Sequence, residues 1–267
     1  MICQLSRTET HPSTRISCAL QKAESCEANS SHFIPGVDKS HMMERRTFLS
    51  LSLPAMATAS LALAGPSGPE PLSAEAALWK LKVGNKRFVT SKPQHPHQET
   101  SLRVRLSSGQ HPFAAILSCA DSRVPPELLF DEGLGDLFVV RVAGNVVDDA
   151  IVGSLEYGAH HLEIPLIVVL GHTSCGAVTA AVKGGDVEDH VKNLIDAIHP
   201  TVEKARTMPG DLTANTVRVN VIQSVEALRH STPTLAHRIA EQKLKIVGAI
   251  YDLNTGEVKW LDKSPTS

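Results

Sequence analysis

The sequence has no excess of positive charge, no long unbroken apolar run and no internal repeat. Its 26 Lys and Arg residues are outnumbered by 28 Asp and Glu residues, which gives a formal net charge of −2 at pH 7. Binding to nucleic acid depends on positive charge that neutralises phosphates, so a nucleic acid is not expected as a partner. The apolar share of 42% and the charged share of 20% are ordinary for a globular protein, which excludes wholesale disorder.

The first 42 residues are polar and follow neither a helical nor a strand period. They are predicted to be a disordered prefix, and the simplest account of them is that translation starts at Met42 or Met43. The folded domain is predicted to occupy residues 65–267, which is long enough for one well-buried core.

Residues 43–64 have the three-part layout of an export signal. Arg45 and Arg46 precede an apolar stretch of about 17 residues that contains Pro54 and ends in small residues. This stretch is shorter than the roughly 20 apolar residues that span a bilayer, so a membrane anchor is not favoured. The pattern predicts a twin-arginine-like signal peptide and an exported protein. The expected location is the periplasm, or a thylakoid lumen if the source is photosynthetic.

Beyond the predicted signal, cysteine occurs only as Cys119 and Cys175. In an oxidising compartment two such cysteines favour a disulfide. Two inert buried thiols, or two metal ligands, are the alternatives. The positions of the two cysteines relative to the predicted strands bear on this choice.

Short apolar runs rich in β-branched residues alternate with helical patterns along the domain. The predicted strands are Pro112–Ser118, Asp136–Val142, Pro165–Leu170, Leu244–Tyr251 and Val258–Leu261; the predicted helices are Ser73–Val89, Asp148–Leu162, Ser174–Val182, Val187–Arg206 and Leu212–His230. Nearly continuous apolar strands are typical of parallel sheets that are covered on both faces. The alternation predicts one α/β domain with a mainly parallel central β-sheet flanked by helices.

Two loops follow predicted strands, at the edge where parallel sheets carry their functional sites. The first strand runs into CADSR, with Cys119, Asp121 and Arg123, and the third runs into GHTSCG, with His172 and Cys175. Two thiolates and one imidazole suit zinc and leave a fourth position for water. Contact with an arginine would keep the aspartate ionised and oriented. From the residues alone, this pair is either catalytic or a structural brace of the loop.

Cys-x-Asp-x-Arg followed by His-x-x-Cys resembles the β-class carbonic anhydrases, and the resemblance covers most of residues 73–261. The further motifs are GNKRFV near residue 84, SCADSRVPPELLF at 118–130, GDLFVVRVAGN at 135–145, SLEYGAHHL at 154–162 and VVLGHTSCGAV at 168–178. The resemblance implies reversible hydration of carbon dioxide to bicarbonate and a proton. It also implies one Zn²⁺ per chain on Cys119, His172 and Cys175, with Asp121 and Arg123 as the catalytic dyad.

The same resemblance implies a substrate pocket and an assembly of subunits. Gln110 is expected to donate a hydrogen bond to a substrate oxygen, and the backbone N–H of Gly176 to offer a second one. Phe138 and Tyr157 are expected to line the pocket across a dimer interface. The helix at residues 73–90 is expected to form an N-terminal arm around a partner, in a homodimer or larger homo-oligomer.

Several positions qualify the resemblance. Ile116 stands where the branch with a bicarbonate-regulated inactive form has Trp, which predicts the plant-like site with water, not Asp121, as the fourth ligand. Ala143 is often larger in plant-type members. His161 is a candidate proton shuttle or a solvent-facing histidine. Two alternatives to this function remain. One is a hydrolase of carbon disulfide or carbonyl sulfide, which uses the same ligands on this fold, and the other is a non-catalytic zinc-stabilised scaffold.

Overall fold

A computed structural model describes residues 72–261, whose regular structure is five β-strands and eight α-helices. The strands are β1 Ala114–Ser118, β2 Leu137–Arg141, β3 Leu166–His172, β4 Lys245–Tyr251 and β5 Val258–Leu261; the helices are α1 Ala74–Val89, α2 Thr100–Leu106, α3 Pro126–Leu129, α4 Asp149–His161, α5 Gly176–Lys183, α6 Val191–Ala205, α7 Leu212–Ser231 and α8 Pro233–Ala240. Within this part of the chain, none of the helices has the length and apolar character needed to cross a membrane. The predicted prefix and signal peptide lie outside the described residues.

The strands form one sheet in the order β2-β1-β3-β4-β5, parallel except for the antiparallel β5. This confirms the predicted α/β class with a mainly parallel sheet. Every residue of β1 and β3 is buried, as expected of strands covered on both faces, whereas the edge strand β2 is only half-buried. Ser118 is in register with Arg141 on one side and with Leu170 on the other, so the C-terminal ends of β1, β2 and β3 lie side by side.

Side-chain caps fix where the helices around the sheet begin. The Ser73 side chain accepts a hydrogen bond from the N–H of Ala76, and the Asp148 side chain accepts one from the N–H of Ile151. Ser and Asp are favoured at such positions because their side chains satisfy amide groups that a helix leaves unpaired at its start. Asp211 caps α7 in the same way.

The first helix, expected to be an N-terminal arm, packs on the sheet of its own chain. Ala77 and Leu81 are fully buried in a core cluster that also contains residues of β1 and β3. The outer face of α1 carries Trp79, which is 67% exposed. One face of the helix therefore packs on its own domain, and the opposite face exposes the large apolar side chain of Trp79.

Three helices were not expected from the sequence. Helix α2 buries none of its seven residues, so it shows no apolar period, and α3 is a single turn of four residues. Helix α8 starts with Thr232 as its cap and Pro233 in its first turn, which is a readable start signal. Its eight residues are too few to establish a period.

Candidate metal centre

Three buried side chains converge at the C-terminal edge of the sheet. Cys119 directly follows β1, His172 is the last residue of β3, and Cys175 directly precedes α5. Their ligand atoms all lie within 4.8 Å of one another. The predicted ligand set is thus brought together, because β1 and β3 are parallel neighbours whose ends meet at one edge.

The sulfur geometry fits a metal and not a disulfide. The two Sγ atoms are 4.0 Å apart, about twice the ~2.05 Å length of an S–S bond, and both cysteines are free. Two thiolates bound at ~2.3 Å to a tetrahedral zinc lie about 3.8 Å apart. The separation therefore matches two ligands of one metal, and the disulfide alternative is wrong for this structure.

His172 offers one nitrogen to the same point. Its Nδ1 lies 2.9 Å from the main-chain oxygen of Thr173, and as an N–H donor there it leaves Nε2 as the atom with a free lone pair. Within the described residues, Nε2 is buried and has no hydrogen-bond partner. A buried polar atom without a partner costs free energy, and a metal ion in the cluster would satisfy it.

The two thiols share their protons unequally. The hydrogen bond from Cys175 lowers the pKa of Cys119 well below its usual range despite the opposing effect of burial, and His172 and the main-chain N–H groups of Asp121 and Gly144 lower it further. The neighbouring Cys119 and then burial raise the pKa of Cys175. Two negative charges this close repel each other, so a cation is what would allow both thiols to ionise.

Asp121 and Arg123 form a two-point contact beside the ligands. Arg123 Nε lies 2.9 Å from Oδ1 and Arg123 Nη2 lies 2.7 Å from Oδ2, and the main-chain N–H of Arg123 also donates to Oδ1. These hydrogen bonds hold the pKa of Asp121 well below its usual range. Oδ2 is 3.9 Å from Nε2 of His172. An ionised acceptor is therefore fixed next to the candidate metal position.

Arg141, at the end of β2, braces the loop that carries these residues and was not singled out in the sequence. Its Nε donates to the main-chain oxygen of Cys119 at 3.1 Å, and its Nη2 donates to that of Asp121 at 2.6 Å. A second unforeseen feature is the turn after β2, where the N–H of Gly144 lies 3.3 Å from Cys119 Sγ. Both contacts depend on the pairing of β2 with β1, which no local sequence pattern predicts.

Gly176, the first residue of α5, directly follows Cys175 and stands at the site. A Cβ added at Gly176 would meet no other part of the chain within 4 Å, so there is open space beside this residue. Its predicted role as a hydrogen-bond donor to substrate stays a prediction.

The other predicted substrate residues are not brought to the metal cluster within one chain. Gln110 precedes β1 whereas Cys119 follows it, and a strand of five residues separates its two ends by roughly 16 Å. Phe138 lies in the first half of β2, and its ring is 6.3 Å from that of Tyr157 on α4. His161 is 5.2 Å from Tyr157, so this candidate shuttle belongs to the same distant group.

Three protein ligands leave the fourth position of a tetrahedral metal for water, which is the arrangement of a catalytic, not a structural, metal site. The sequence profile of the carbonic anhydrase family matches residues 114–258 of this chain. Carbonic anhydrase 2 of Mycobacterium tuberculosis (strain CDC 1551 / Oshkosh) is 44% identical over 185 residues, which cover 67% of this chain and 89% of that protein. The carbonic anhydrase of Mycolicibacterium smegmatis is 41% identical over 194 residues, which cover 71% of this chain and 94% of that protein.

Among solved structures, the chain is similar to a β-carbonic anhydrase of Sordaria macrospora, one of two described as tetrameric. The TM-score is 0.57 at 26% sequence identity, and the match covers 67% of this chain and 93% of that one. With the family profile and the two mycobacterial relatives, this places the chain in the carbonic anhydrase family, in its β class.

Proposed function

We propose that this chain catalyses the reversible hydration of carbon dioxide to bicarbonate and a proton at a zinc site, and that it works as an exported homo-oligomer. The observation that carries the proposal is the convergence of Cys119, His172 and Cys175 within 4.8 Å, beside an aspartate that Arg123 fixes. Membership of the family and relatives named carbonic anhydrase at 44% and 41% identity support the reaction.

Zinc is the metal that this donor set suits best. Two thiolates and an imidazole are soft to intermediate ligands, and zinc accepts both types in a tetrahedral site. When bound, zinc acts as a Lewis acid that lowers the pKa of water to about 7, which provides a nucleophile at neutral pH. Cys119 and Cys175 would supply negative charge to the ion, and His172 a neutral nitrogen.

Asp121 orients the attacking water. Because Arg123 keeps the carboxylate ionised, Asp121 can only accept a hydrogen bond, so the water must point a proton at it and a lone pair at the carbon of the substrate. Both oxygens of Asp121 are already bonded to Arg123. This supports an open, plant-like site in which Asp121 is not a metal ligand, in agreement with Ile116 in place of Trp.

A second copy of the chain would complete the substrate pocket. Gln110 precedes β1 and Phe138 lies near the start of β2, whereas the metal cluster lies where these strands end, so both residues could act only on the site of a partner. Several large apolar side chains remain exposed in the single chain, as expected of surfaces that meet another subunit. The most exposed of them are Trp79, Val104, Leu128, Leu134 and Tyr157. A tetrameric structural neighbour also supports a homo-oligomer.

Export rests on the twin-arginine-like segment at residues 43–64. The expected result is a processed protein in the periplasmic fraction of a bacterial host, and retention in the cytoplasm when Arg45 and Arg46 are both replaced by Lys. Equal distribution of the two proteins between the fractions would count against export by this route.

Stopped-flow hydration of carbon dioxide at about pH 8, on the zinc-loaded full chain, tests the reaction. Cys119→Ala and His172→Ala should lose both bound zinc and hydration, whereas His199→Ala, at an exposed position of α6, should keep both. A folded chain with one zinc per subunit and no hydration would refute the reaction. Carbonyl sulfide and carbon disulfide would then be the next substrates to assay, before a scaffold role.

A further inference from the structure

The turn between β2 and α4 has a left-handed bend. Gly144 has a φ of 73° and Asn145 a φ of 44°, so two consecutive residues lie in the left-handed region. Glycine adopts this conformation freely and asparagine more readily than most residues with a side chain, so the sequence allows the bend and the surroundings hold it in place. The result of the bend is that the N–H of Gly144 reaches Cys119 Sγ at 3.3 Å.

Helix α7 holds this turn through two side chains. The Asn220 amide donates to the main-chain oxygen of Gly144 at 2.8 Å, and the Ser224 hydroxyl, one helical turn later, donates to that of Asn145 at 3.3 Å. Both side chains are buried, Asn220 with only 4% exposure. Each hydrogen bond thus fixes one of the two left-handed residues.

Asn220 and Ser224 are polar residues on a helix face that is otherwise mainly apolar. Val217, Val221 and Val225 of the same helix are buried core residues. Val221 packs so closely on Gly171 that a Cβ there would lie 2.5 Å from its Cγ2, so α7 also rests on the strand that delivers His172. A buried amide among such residues is costly unless it makes hydrogen bonds, and the bond of Asn220 ends on the turn behind Cys119.

We propose that Asn220 is a positioning residue for the metal centre: it holds the Gly144 N–H on the sulfur of Cys119, and so limits the negative charge which that thiolate donates to the bound metal. A hydrogen bond to a ligand sulfur withdraws electron density from the metal–sulfur bond. Groups that contact ligands in this way alter metal affinity without touching the ion. Ser224 supports the same turn through Asn145. The inference rests on the metal site of the proposed function.

Cobalt(II) in place of zinc provides the test, because its sulfur-to-metal charge-transfer absorption reports how much charge the thiolates donate. In Asn220→Ala this band should shift to longer wavelength, and release of the metal to a chelator should become about tenfold faster. Thr216→Ala is the matched control. Thr216 is equally buried on α7, and its hydroxyl donates only to Leu212 of its own helix, so both readouts should match the unaltered chain.

Each outcome decides one point. If the unaltered chain shows no sulfur-to-cobalt band, the metal site itself is wrong. If the band is present but Asn220→Ala leaves both band and release rate unchanged, or Thr216→Ala shifts them equally, the role of Asn220 is refuted. Should Asn220→Ala fail to fold, Ser224→Ala decides: a smaller shift in the same direction supports the proposal, and an unchanged band overturns it.

Discussion

Asp121 has its charge and its orientation fixed before any substrate arrives, because both carboxylate oxygens are bonded to Arg123. Arg123 in turn reaches the main-chain oxygen of Ser174 at 3.4 Å, next to the ligand Cys175. The pair thereby links the two loops that supply the metal ligands. A contact that only braced the first loop would not need to reach the second.

Asp121→Asn should retain bound metal and lose most of the hydration activity. The amide presents an N–H where the carboxylate accepts a hydrogen bond, so water can no longer be oriented, and we expect kcat/KM to fall by roughly 100-fold or more. Metal content by atomic absorption and stopped-flow hydration measure the two effects. Asp196→Asn, an exposed carboxylate paired with Lys192, is the control and should leave both unchanged. Undiminished kcat/KM in Asp121→Asn would remove this residue from the mechanism.

The ligands and the dyad could be predicted because each follows directly on a readable apolar strand. The residues that support them, Arg141 and Asn220, could not be predicted. Arg141 contacts a main-chain oxygen 20 positions away, and Asn220 contacts one 76 positions away. Such contacts depend on which strands pair and on where α7 packs, and the local sequence carries neither piece of information.

Asn85 joins elements that are far apart in the chain. It lies on α1, is buried, and donates from Nδ2 to the main-chain oxygens of Leu129 and Gly256 at 3.0 Å each, while its Oδ1 accepts from the N–H of Val258 at 2.9 Å. One side chain thus connects α1 to α3, to the turn before β5 and to β5 itself. The position of the first helix on the domain depends on this residue.

Asn85→Ala should destabilise the fold by about 3 kcal/mol, because three hydrogen bonds worth about 1 kcal/mol each are lost and three main-chain groups are left without partners. Urea unfolding at fixed protein concentration measures the change. Asn193→Ala, at an exposed position of α6, is the control and should cost less than about 0.5 kcal/mol. Equal unfolding midpoints for the two variants would show that α1 is held by apolar contacts alone.

Glu132 is an acidic side chain that is almost wholly buried after α3. Its Oε2 lies 2.9 Å from Lys80 Nζ, but Lys80 also serves Asp136 at 3.4 Å. Burial raises the pKa of Glu132, and Lys80 opposes this only in part. The folded chain therefore holds this proton to a higher pH than the unfolded chain, in which Glu titrates near pH 4.3. Stability is accordingly lost as the pH rises from about 4 through the folded pKa.

Glu132→Gln should remove this loss, because it cannot ionise. The variant is expected to match the unaltered chain near pH 4 and to be more stable at pH 7 by on the order of 1 kcal/mol. Thermal unfolding between pH 4 and pH 8 measures the difference. Glu127→Gln, an exposed position in α3, should show no such divergence. A Glu132→Gln protein that is less stable than the unaltered chain at pH 7 would mean that the ion pair with Lys80 outweighs the burial of the charge.

At the level of elements, all five predicted strands are present, and they form one mainly parallel sheet. Their apolar character follows from burial on both faces, so it is visible in the sequence. The helices that were missed bury little or are short, and apolar periodicity signals burial, not helicity itself. The sequence of α1 likewise does not indicate that Trp79 is exposed, because a helical apolar pattern does not show which of its apolar residues stay in solvent.

At the scale of the whole molecule, Gln110 and Phe138, which the family resemblance predicts as substrate residues, lie away from the metal cluster of their own chain. The order of residues in the sequence does not show whether a residue contributes to the site of its own chain or to the site of a partner. In the single chain, Gln110 lines a surface depression together with the exposed Leu134, near the start of β2. A partner that covers this surface would receive both Gln110 and Phe138 at its own site.

Mixed oligomers distinguish a shared site from a self-contained one. Cys119→Ala lacks a metal site but keeps Gln110, and Gln110→Ala keeps the metal site but lacks the donor. When the two variants are co-expressed and dimerise at random, half of the dimers contain one chain of each kind. Each such dimer has one complete site if Gln110 acts on its partner. The mixture should then regain roughly a quarter of the unaltered activity per chain.

If Gln110 serves its own chain, no mixed dimer contains a complete site, and the mixture shows only the mean of the two separate variants. Co-expression of Cys119→Ala with Asp121→Asn is the control. These substitutions lie two positions apart in the same loop, so no exchange of partners can rebuild a site from them. Recovery in the first mixture and none in the second would establish that the catalytic unit is at least a dimer. An absence of recovery in both would place Gln110 outside the site of any partner.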